Sequence, residues 1–575
     1  AETAVPERAD PDPGNAVVSE VYVERIPGLP EDFIDGMDIS SVIAEEKSGV
    51  QYLDRSGNPV DLFEFLAEQG IDTIRVRVWN DPYDDEGHGY GGGNCNAEVA
   101  AEIGRRAAAA GMNLLVDFHY SDFWADPNKQ MEPKAWAKKS ADDKAELAYE
   151  YTKKSLTDII AAGSQVSIVQ IGNEINNGLS GRTSKFDVIK ILRRASDAVR
   201  EVSSDTADDI KIAVHFTGVD NKNQIAEKAQ WLTDEQLDYD IFGVSYYPFW
   251  HGSLSGLTEV LKAAKETTGK DVMILETSFP RTTEDGDFTP NSAGDEHELG
   301  NYFVSVQGQA QAIRDVYKAS FDGGAIGVCY WEGAWIPVPG DQNEKKRLWE
   351  EYGSGWASSY AGSYDPGDAG RYYGGSSWDN QAFFTADGHA LDSIHVFRGV
   401  HYGTFSEADP MSGYCKDPNA PVVSEVDSLL ENSGFEDEDM SMWEVSFEGS
   451  DNPTDRQTKE ADAMHGENAF HFWSSKAVEF TMKQTISVAE DGTYRATAAI
   501  QGGDTGDDAE IYMFAAVNDN EQRSDPIKLS GWVNWKEPVI EFDASAGDSV
   551  TVGFYVKCKP GGWGTIDDVS LLSDG

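Results

Sequence analysis

Basic residues are scarce in this 575-residue chain, which has 46 lysines and arginines against 101 aspartates and glutamates. The formal net charge of −55 is spread along the sequence and repels phosphate backbones and anionic lipid surfaces. No stretch reaches the run of about eighteen apolar residues that a membrane helix needs. We therefore expect no nucleic-acid partner and no membrane insertion.

Cysteine is sparse as well. The four cysteines show neither CxxC spacing nor the dense clustering of a disulfide-stapled domain. Cys329 lies inside the apolar run GAIGVCYW, which predicts a buried thiol. The opening AETAVPERADPDPGN has no initiator Met and is rich in Pro and Asp, as in a chain after signal cleavage. We therefore expect a secreted, extracellular or cell-surface protein.

The region from Phe33 to about Phe397 alternates short β-branched runs with longer stretches of helical period, a pattern typical of βα units. Eight such units predict an α/β fold, a (β/α)₈ TIM barrel with active groups at the C-terminal ends of its strands. A doubly wound sheet is disfavoured because no Gly-rich phosphate loop follows the first strand. The predicted strands are FIDGMDIS, IDTIRVRVW, NLLVDFHY, QVSIVQIGNE, IKIAVHF, YDIFGVSYY, DVMILET and GAIGVCYWE.

The helical period stops after Phe397, and KDPNAPV at 416–422 has the composition of a linker. Short alternating runs separated by Gly/Asp turns then continue from Ser428 to Leu572, which predicts an antiparallel β-sandwich. The predicted segments are an N-terminal extension (1–31), the barrel (32–400), a linker (401–427) and the sandwich (428–575).

Two predicted strands end in glutamate, Glu174 after QIGN and Glu276 in MILET. Taken alone, Glu174 also suits the first turn of a helix. Strands four and seven of a barrel face each other across its mouth, which would bring the two carboxyls together. In a retaining glycosidase one carboxyl protonates the leaving oxygen and the other, about 5–5.5 Å away, attacks the anomeric carbon. The pair therefore indicates glycoside hydrolysis.

The neighbours of these glutamates also suit a sugar site. Asn173 would hydrogen-bond a ring hydroxyl beside the reacting carbon. Arg75 and Arg77 alternate with valines and so point to one side of their strand, where they would either keep the nucleophile ionised or form a barrel ion pair. Aromatic residues at the strand ends would stack on sugar rings or serve as packing: Trp79, Tyr120, Trp124, Tyr247, Trp250, Trp331, Trp335 and Trp356.

Seven motifs in order resemble the endo-β-1,4-galactanases of glycoside hydrolase family 53: RVRVWNDPYD, DFHYSDFWADP, IVQIGNEINNG, VSYYPFW, ETS, YWEGAWIP and YGSGWASSYAGSYDP…WDNQA. The resemblance implies a (β/α)₈ barrel that hydrolyses β-1,4-galactan, the side chain of type I arabinogalactan in pectin, with retention. It implies Glu174 as acid/base and Glu276 as nucleophile. The candidate substrate-binding residues are Asn173, Asp117, His119, Tyr247 and Trp331, which match the family's groove, together with Arg75, Arg77, Trp124, His215, Trp335 and Trp356 from the strand ends and aromatics.

The segment EDGDFTPNSAG after the seventh strand resembles the calcium loop of bacterial members of this family. Its ligands would be Asp285, Asp287 and Asn291, with Ser376 and Asp379 from GGSSWDN, and such closely spaced oxygens suit a hard cation. An ordinary Asp/Gly turn is the alternative. Thr289 stands where bacterial relatives often have His. We expect structural Ca²⁺ and no organic cofactor.

The segment from Leu429 to Leu572 resembles jelly-roll carbohydrate-binding modules, and its association with a galactanase suggests the galactan-binding family 61. The first and last strands of such modules lie side by side, so Glu436 and Asp568 would share a structural calcium. Candidates for sugar stacking, with core packing as the alternative, are Trp473, Trp532, Trp535 and Trp563.

Two rival functions remain at the sequence level. Another retaining barrel hydrolase, an endo-β-1,4-mannanase or a glucanase, would share the Asn-Glu and Glu strand ends. A non-catalytic glycan-binding surface protein would use both domains for adhesion, but it would have no need for an acid and a nucleophile at facing strand ends. We expect a monomeric glycoside hydrolase with a polysaccharide substrate.

Overall fold

The computed structural model describes residues 9–294, 297–415, 428–437, 439–448, 452–458, 462–464, 468–489, 491–506, 508–518 and 520–573. The chain divides into two compact units, Ala1–Ser424 and Glu425–Gly575. Residues 1–8 of the predicted extension and 416–427 of the predicted linker lie outside the described residues.

Eight parallel strands form a closed barrel in the first unit, each paired with the next and the last with the first. All eight coincide with the apolar runs predicted from the sequence, and the predicted (β/α)₈ fold is confirmed. The strands are β1 Ile34–Asp38, β2 Thr73–Val78, β3 Asn113–Phe118, β4 Val166–Ile171, β5 Lys211–Phe216, β6 Ile241–Ser245, β7 Asp271–Thr277 and β8 Ala325–Tyr330.

The barrel strands are almost wholly buried, because helices cover their outer face and side chains fill the interior. Leu115, Ile168, Met273 and Leu275 belong to a small apolar cluster separate from the larger helix-facing core. Cys329 joins this cluster as a free, buried thiol. Polar residues follow these apolar positions toward the C-terminal strand ends. The barrel interior is therefore a packed apolar core that holds the polar residues of the mouth in place.

Helices follow the strands and begin at residues that cap their free N–H groups, for example Asn96 before α3 and Ser140 before α4. None of the described helices combines the length and apolarity needed to cross a membrane. They are α1 Val42–Lys47, α2 Leu62–Glu68, α3 Ala97–Ala109, α4 Ala141–Ala161, α5 Lys185–Thr206, α6 Lys222–Asp234, α7 Leu254–Thr268, α8 Val306–Asp322, α9 Gln342–Tyr352, α10 Ala369–Tyr372 and α11 Val396–Tyr402, with 3₁₀ turns at Lys134–Trp136, Ser359–Ser363, Asp379–Gln381 and Asp392–His395.

The two ends of the barrel unit are joined by a short parallel pair, Val17–Val18 with Thr404–Phe405. The Tyr414 hydroxyl donates to Asp315 on α8 at 2.7 Å. Residues 401–415, which the sequence assigned to the linker, are thus attached to the barrel unit by strand pairing and side-chain hydrogen bonds. The composition signal at 416–422 did not indicate this.

The second unit is a sandwich of two antiparallel sheets, and the predicted all-β fold is confirmed. One sheet has the order β9-β12-β18-β14-β15 and the other β10-β11-β19-β13-β16, with β17 also paired to β13. The strands are β9 Glu444–Phe447, β10 Thr454–Gln457, β11 Ala469–Trp473, β12 Val478–Ser487, β13 Gly492–Gly503, β14 Glu510–Val517, β15 Asn520–Arg523, β16 Gly531–Lys536, β17 Val539–Ala544, β18 Ser549–Cys558 and β19 Trp563–Ser573.

The start of the sandwich runs beside its last strand. Leu429 N donates to Leu571 O at 2.9 Å, and Val569 N donates to Ser433 O at 3.0 Å. Alternate inward residues of both sheets form one apolar core that includes Phe435, Phe470 and Phe554.

Candidate active site

Arg75 on β2 is the centre of a buried polar cluster at the C-terminal end of the barrel. Its Nη1 donates to Asp38 on β1 at 2.9 Å, and its Nη2 donates to Asp117 on β3 at 2.9 Å. The same Nη2 donates to Glu276 on β7 at 2.8 Å and to Asn173 after β4 at 3.1 Å. A single guanidinium thus joins the ends of five strands, including one predicted catalytic residue.

Glu276 is held from both sides. Its Oε1 accepts from Arg75, and its Oε2 accepts from the Tyr247 hydroxyl at 3.0 Å. Burial raises the pKa of Glu276, the positive charge of Arg75 lowers it, and the net result is a pKa above the usual range. Each oxygen of Glu276 thus accepts a hydrogen bond, one from a cation and one from a hydroxyl, and both contacts stabilise the ionised carboxylate.

Glu174 follows β4 with a left-handed backbone, φ 45°. This conformation is uncommon for a residue with a side chain, and neighbours hold it: Gln130 Nε2 donates to the carbonyl of Asn173 at 2.7 Å and to that of Glu174 at 3.3 Å. Oε1 of Glu174 accepts from the Ser245 hydroxyl on β6 at 2.7 Å. Burial and the negative charge of Glu276 raise the pKa of Glu174 to about 8.

Ser245, which donates to Glu174, is paired in register with Glu276 on the next strand, so both carboxyls lie at the same part of the barrel mouth. Glu276 is partnered by a cation and Glu174 by a neutral hydroxyl. One carboxyl is thus favoured as a base or nucleophile and the other as an acid near neutral pH.

Asp117, His119 and Trp79 form a chain beneath the groove. Oδ2 of Asp117 accepts from His119 Nε2 at 2.9 Å, and His119 Nδ1 accepts from the Trp79 indole at 3.1 Å. Burial opposes ionisation, but His119 and Arg75 hold the pKa of Asp117 below its usual range. The Asp117 side chain is fully buried and contacts other residues of the cluster.

Arg77 forms a second buried pair, with Glu332 after β8, at 2.5 Å. Its guanidinium lies 4.3 Å from the ring centroid of Trp124, a favourable cation–π distance. Burial raises the pKa of Glu332 to about 7, although Arg77 opposes the shift. The buried Arg77 side chain therefore packs against the Trp124 ring and helps to hold it in position.

His215 on β5 is also fully buried. It contacts Asn173 Oδ1 and Gln170 Nε2 through Nδ1, and Ser245 through Nε2, each at 2.9 Å. The sequence predicted five buried residues to bind substrate: Arg75, Arg77, Asp117, His119 and His215. Each is at most 2% exposed, so these side chains lie beneath the residues that line the groove and hold them in place.

Aromatic rings line the mouth above this cluster. Trp331 packs edge-to-face on Trp378 at 5.0 Å, and Trp378 packs on Tyr247 at 5.8 Å. Trp124 and Trp335 stack at 6.3 Å, and the Trp124 indole donates to the carbonyl of Trp356 at 2.9 Å. Trp124, Trp331 and Trp356 keep part of their surface exposed, while Trp335 is buried. Such a ring-lined cleft suits the flat apolar faces of sugars.

A family model described as "Glycosyl hydrolase family 53" matches residues 34–397. The chain belongs to glycosyl hydrolase family 53. An endo-β-1,4-galactanase of Bacillus subtilis (strain 168) is 50% identical over 388 residues, which cover 67% of this chain and 90% of that protein. The resemblance predicted from the motifs is confirmed, and the chain is a glycoside hydrolase.

Solved structures match each unit. A family 53 catalytic domain from Ignisphaera aggregans has 35% identity and a TM-score of 0.59, and the match covers 66% of this chain and 99% of that one. A solved family 61 carbohydrate-binding module in complex with β-1,4-galactotriose has 25% identity and a TM-score of 0.24, and the match covers 26% of this chain, in its C-terminal part, and 100% of that one.

In this family 53 chain, Asp285 and Asp287 of the loop after β7 meet Asp379 of a later 3₁₀ turn, with carboxylate oxygens all within 4.8 Å of one another. Burial and the charge of Asp379 raise the pKa of Asp287 to about 8. Oδ1 of Asp379 and Oδ1 of Asn291 are buried and have no hydrogen-bond donor among the described residues. Free oxygens beside crowded carboxylates fit a hard cation.

The other two positions around this loop hold it in place. The Ser376 backbone N–H donates to Oδ2 of Asp287 at 2.6 Å. The hydroxyl of Thr289 accepts from Gly375 N at 2.8 Å. Both contacts join the loop after β7 to the segment that supplies Asp379.

The sandwich presents a row of aromatic residues on one sheet. Trp473 is paired in register with Trp563, and Trp563 with Gly503, so the two indoles lie on the same face. Trp473 and Trp532 are 53% and 55% exposed, which excludes core packing as their role. Trp535 is partly exposed on β16.

The two residues of the second predicted calcium pair lie on neighbouring segments of the sandwich. Glu436 accepts from Asn468 through both of its oxygens, at 3.0 and 2.5 Å. Asp568 lies beside the same segment, since a Cβ built at Gly434 would be 3.7 Å from its Oδ1. The clusters of three or more metal-binding side chains found among the described residues do not include either residue.

Sequence reasoning missed three residues of the site, Gln170, Ser245 and Trp378, and it located Glu332 at a strand end without giving it a role. Gln170 and Glu332 lie on or beside predicted strand ends, and their strand positions were the available signal. Trp378 follows a long loop after β8, so no periodicity connects it with the barrel mouth.

Proposed function

We propose that this chain is a secreted endo-hydrolase of β-1,4-galactan, the side chain of type I arabinogalactan in pectin, that releases galacto-oligosaccharides with retention of configuration. Glu174 is the acid/base and Glu276 the nucleophile. Family 53 membership and the 50% identical Bacillus subtilis relative, named an endo-β-1,4-galactanase, support the substrate. A polysaccharide does not enter cells intact, which supports action outside them.

The observation that carries the mechanism is the unequal setting of the two carboxyls. Glu276 accepts from the Arg75 cation and from Tyr247. Both contacts stabilise its ionised form and so oppose the effect of burial on its pKa. Glu174 accepts from the neutral Ser245 hydroxyl, and its pKa is raised to about 8. Near neutral pH the first is suited to attack and the second to protonate.

In the first step, a Glu276 oxygen attacks the anomeric carbon while the bond from that carbon to the glycosidic oxygen breaks. Glu174 transfers its proton to the departing oxygen, so the cleaved chain leaves as a neutral alcohol. A glycosyl ester of Glu276 remains. Arg75 and Tyr247 hold the attacked carboxylate in one orientation, which limits the search for the reactive geometry.

In the second step, the Glu174 carboxylate takes a proton from water as that water attacks the anomeric carbon. The ester bond breaks, and its electron pair returns to Glu276 as a carboxylate beside Arg75. Asn173 is fixed by Arg75 and by its own donation to the carbonyl of Ala125 at 2.9 Å, so it would contact the sugar without further ordering.

We also propose Ca²⁺ at the loop after β7, held by Asp285, Asp287, Asn291, Ser376 and Asp379. The free oxygens of Asn291 and Asp379 support this, as does the crowding of the three carboxylates. When bound, the ion would neutralise these charges and brace the loop. A second Ca²⁺ at Glu436 and Asp568 is proposed from the adjacency of their segments alone.

The sandwich is proposed to bind the same polymer. The exposed indoles of Trp473 and Trp532 support this, together with the partly exposed Trp563 beside Trp473, because several rings on one sheet suit successive sugars. In the full chain, Trp473→Ala should reduce retardation in galactan affinity gels and leave hydrolysis of short soluble oligosaccharides unchanged. Phe447→Ala, which removes an exposed ring from the opposite sheet, is the control.

Incubation with purified β-1,4-galactan, β-mannan and β-glucan tests the activity. Internal cleavage of galactan into a series of oligosaccharides is expected, and ¹H NMR at early times should show the β-anomer of the new reducing end. Initial release of the α-anomer would contradict retention. Cleavage of mannan or glucan in preference to galactan would contradict the substrate.

A further inference from the structure

Ser245, at the end of β6, lies between two groups of the candidate site. Its Oγ is 2.7 Å from Oε1 of Glu174 and 2.9 Å from Nε2 of His215. Ser245 and His215 are both 0% exposed. A hydroxyl has one proton and can donate to only one of these partners at a time. Which partner receives the Ser245 proton depends on which nitrogen of His215 is protonated.

Nδ1 of His215 faces two donors. Nε2 of Gln170 lies 2.9 Å away, and the backbone N–H of Glu174 lies 3.4 Å away. The Gln170 amide cannot be reversed without loss, because its Oε1 accepts from Arg75 at 3.2 and 3.3 Å. Burial and the charge of Arg75 hold the pKa of His215 well below its usual range, so the ring is neutral and carries one proton.

Asn173 Oδ1 also lies 2.9 Å from Nδ1 of His215 and would accept a proton there. That oxygen, however, already lies 3.1 Å from two other donors, Arg75 Nη2 and Gln170 Nε2. The Gln170 amide nitrogen also lies 3.2 Å from the carbonyl of Gly172, which fixes it as the donor side of the amide. A proton on Nδ1 would in addition oppose the N–H groups of Gln170 and Glu174. The His215 proton therefore resides on Nε2, and Ser245 accepts it as a hydrogen bond.

The Ser245 hydroxyl then donates to Oε1 of Glu174. We propose that Ser245, oriented by His215, keeps the acidic proton of Glu174 off Oε1 and on Oε2, the oxygen that delivers it to the glycosidic oxygen. This inference rests on the proposed role of Glu174. Ser245 keeps its own proton in both steps and is a positioning residue, because it acts on the substrate only through Glu174.

Groups from several elements act on the Glu174 carboxyl. Burial has the largest effect and raises its pKa, as do the charges of Glu276 on β7 and Asp126 after β3. The hydroxyls of Ser245 and of Thr217, after β5, lower it. A hydrogen bond to an ionised carboxyl favours the ionised form. Removal of the Ser245 hydroxyl should therefore raise the pKa of Glu174 and extend its protonated range to higher pH.

Ser245→Ala tests the proposal. The kcat on galactan should fall about 10- to 100-fold, with KM within about three-fold, because a hydrogen bond to a charged group is lost. The alkaline limb of kcat/KM should move to higher pH. Aryl β-galactobiosides with good leaving groups, which need little protonation, should lose much less. Ser245→Thr keeps the hydroxyl and should restore the galactan rate and the limb.

Ser320→Ala is the matched control. It removes another fully buried serine hydroxyl, on α8, that has no hydrogen-bond partner among the described residues, and should change none of these quantities. An unmoved alkaline limb in Ser245→Ala, or equal rate losses on galactan and on the activated glycosides, would overturn the proposal.

A substrate-free measurement separates this inference from the proposed function. Carboxyl ¹³C NMR of labelled glutamate follows the titration of Glu174 in the wild type and in Ser245→Ala. An upward shift of the Glu174 pKa in the variant supports the Ser245 bond even if the wild type does not cleave galactan, a result that would overturn the proposed function alone. An unchanged pKa overturns the Ser245 bond.

Discussion

Nη2 of Arg75 donates to Oε1 of Glu276 at 2.8 Å, and within the described part of the chain Glu174 has no ion pair with any cation. In the proposed mechanism, two residues of the same type therefore have unequal tasks. Attack on the anomeric carbon requires the carboxylate of Glu276, and departure of the glycosidic oxygen requires the proton of Glu174. Substitution of either glutamate therefore tests one role at a time.

Glu276→Gln should reduce kcat by at least about 10⁴-fold, because the amide cannot form the glycosyl ester. Binding of galacto-oligosaccharides, measured by calorimetry, should be retained since the groove is unchanged. Turnover close to that of the wild type would remove Glu276 from the nucleophile's role.

Glu174→Ala should slow galactan cleavage by about 10²- to 10⁴-fold, the usual contribution of a general acid. Activated aryl glycosides should still form the glycosyl ester, and added azide should accelerate its breakdown to a β-glycosyl azide. Glu276→Ala with azide is the matched comparison, since direct displacement there gives the α-azide. Exchange of these two products between the variants would reverse the assigned roles.

The pH profile of kcat/KM should be bell-shaped. Glu174 acts in its protonated form, so activity should be lost as pH rises above about 8, the pKa to which burial and Glu276 raise it. Glu276 acts ionised, and because burial raises its pKa, activity should be lost on the acid side at a pH above the usual glutamate range. Glu174→Ala assayed on an activated glycoside should keep the acid limb and lose the alkaline one.

Chelation should lower the Tm more than the initial rate, because an ion bound only by the native state adds to the free energy of unfolding, by about 2.7 kcal/mol at a hundred times its Kd. The free oxygens of Asn291 and Asp379 motivate this expectation. Ca²⁺ should restore the Tm better than Mg²⁺, which prefers fewer protein ligands. Asp379→Asn should already melt lower and respond less to the chelator. A Tm unaffected by exhaustive dialysis against chelator would contradict the loop site.

Salt should raise the Tm over a wide range. With 101 acidic and 46 basic residues, like-charge repulsion opposes the compact state, and added ions screen it. Differential scanning calorimetry in NaCl from about 0.05 to 1 M gives the comparison, where the Debye length falls from more than about 10 Å to about 3 Å. A Tm that falls with NaCl would mean that screened surface ion pairs outweigh this repulsion.

The barrel could be predicted from the sequence because buried parallel strands leave continuous apolar runs. Glu174 and Glu276 could be located for the same reason, since each directly follows such a run. Their strand positions then implied that both lie at the barrel mouth, and the structure links them through Ser245, which contacts Glu174 and is paired in register with Glu276.

The support beneath the groove could not be predicted to the same extent. Ser245 is a small polar residue in the apolar run GVSYY, and its contact with Glu174 joins β6 to β4, which no local pattern encodes. Trp378 reaches the mouth from a loop far along the chain. The burial of His215 likewise depends on the packing of several strands, so its strand-end position was misleading about access to the substrate.

The short pairing of Val17–Val18 with Thr404–Phe405 also bears on how the catalytic unit forms. Thr404 Oγ1 donates to Val21 O, a contact between residues 383 positions apart, so it can form only when nearly the whole unit has been synthesised. Because both ends of the unit lie side by side, a short peptide should join them with little loss of loop entropy. A circular permutant opened at an exposed helix–strand turn should therefore refold to an active barrel. In such a permutant the two natural ends would be joined from the start of folding, while the residues of the site would stay the same.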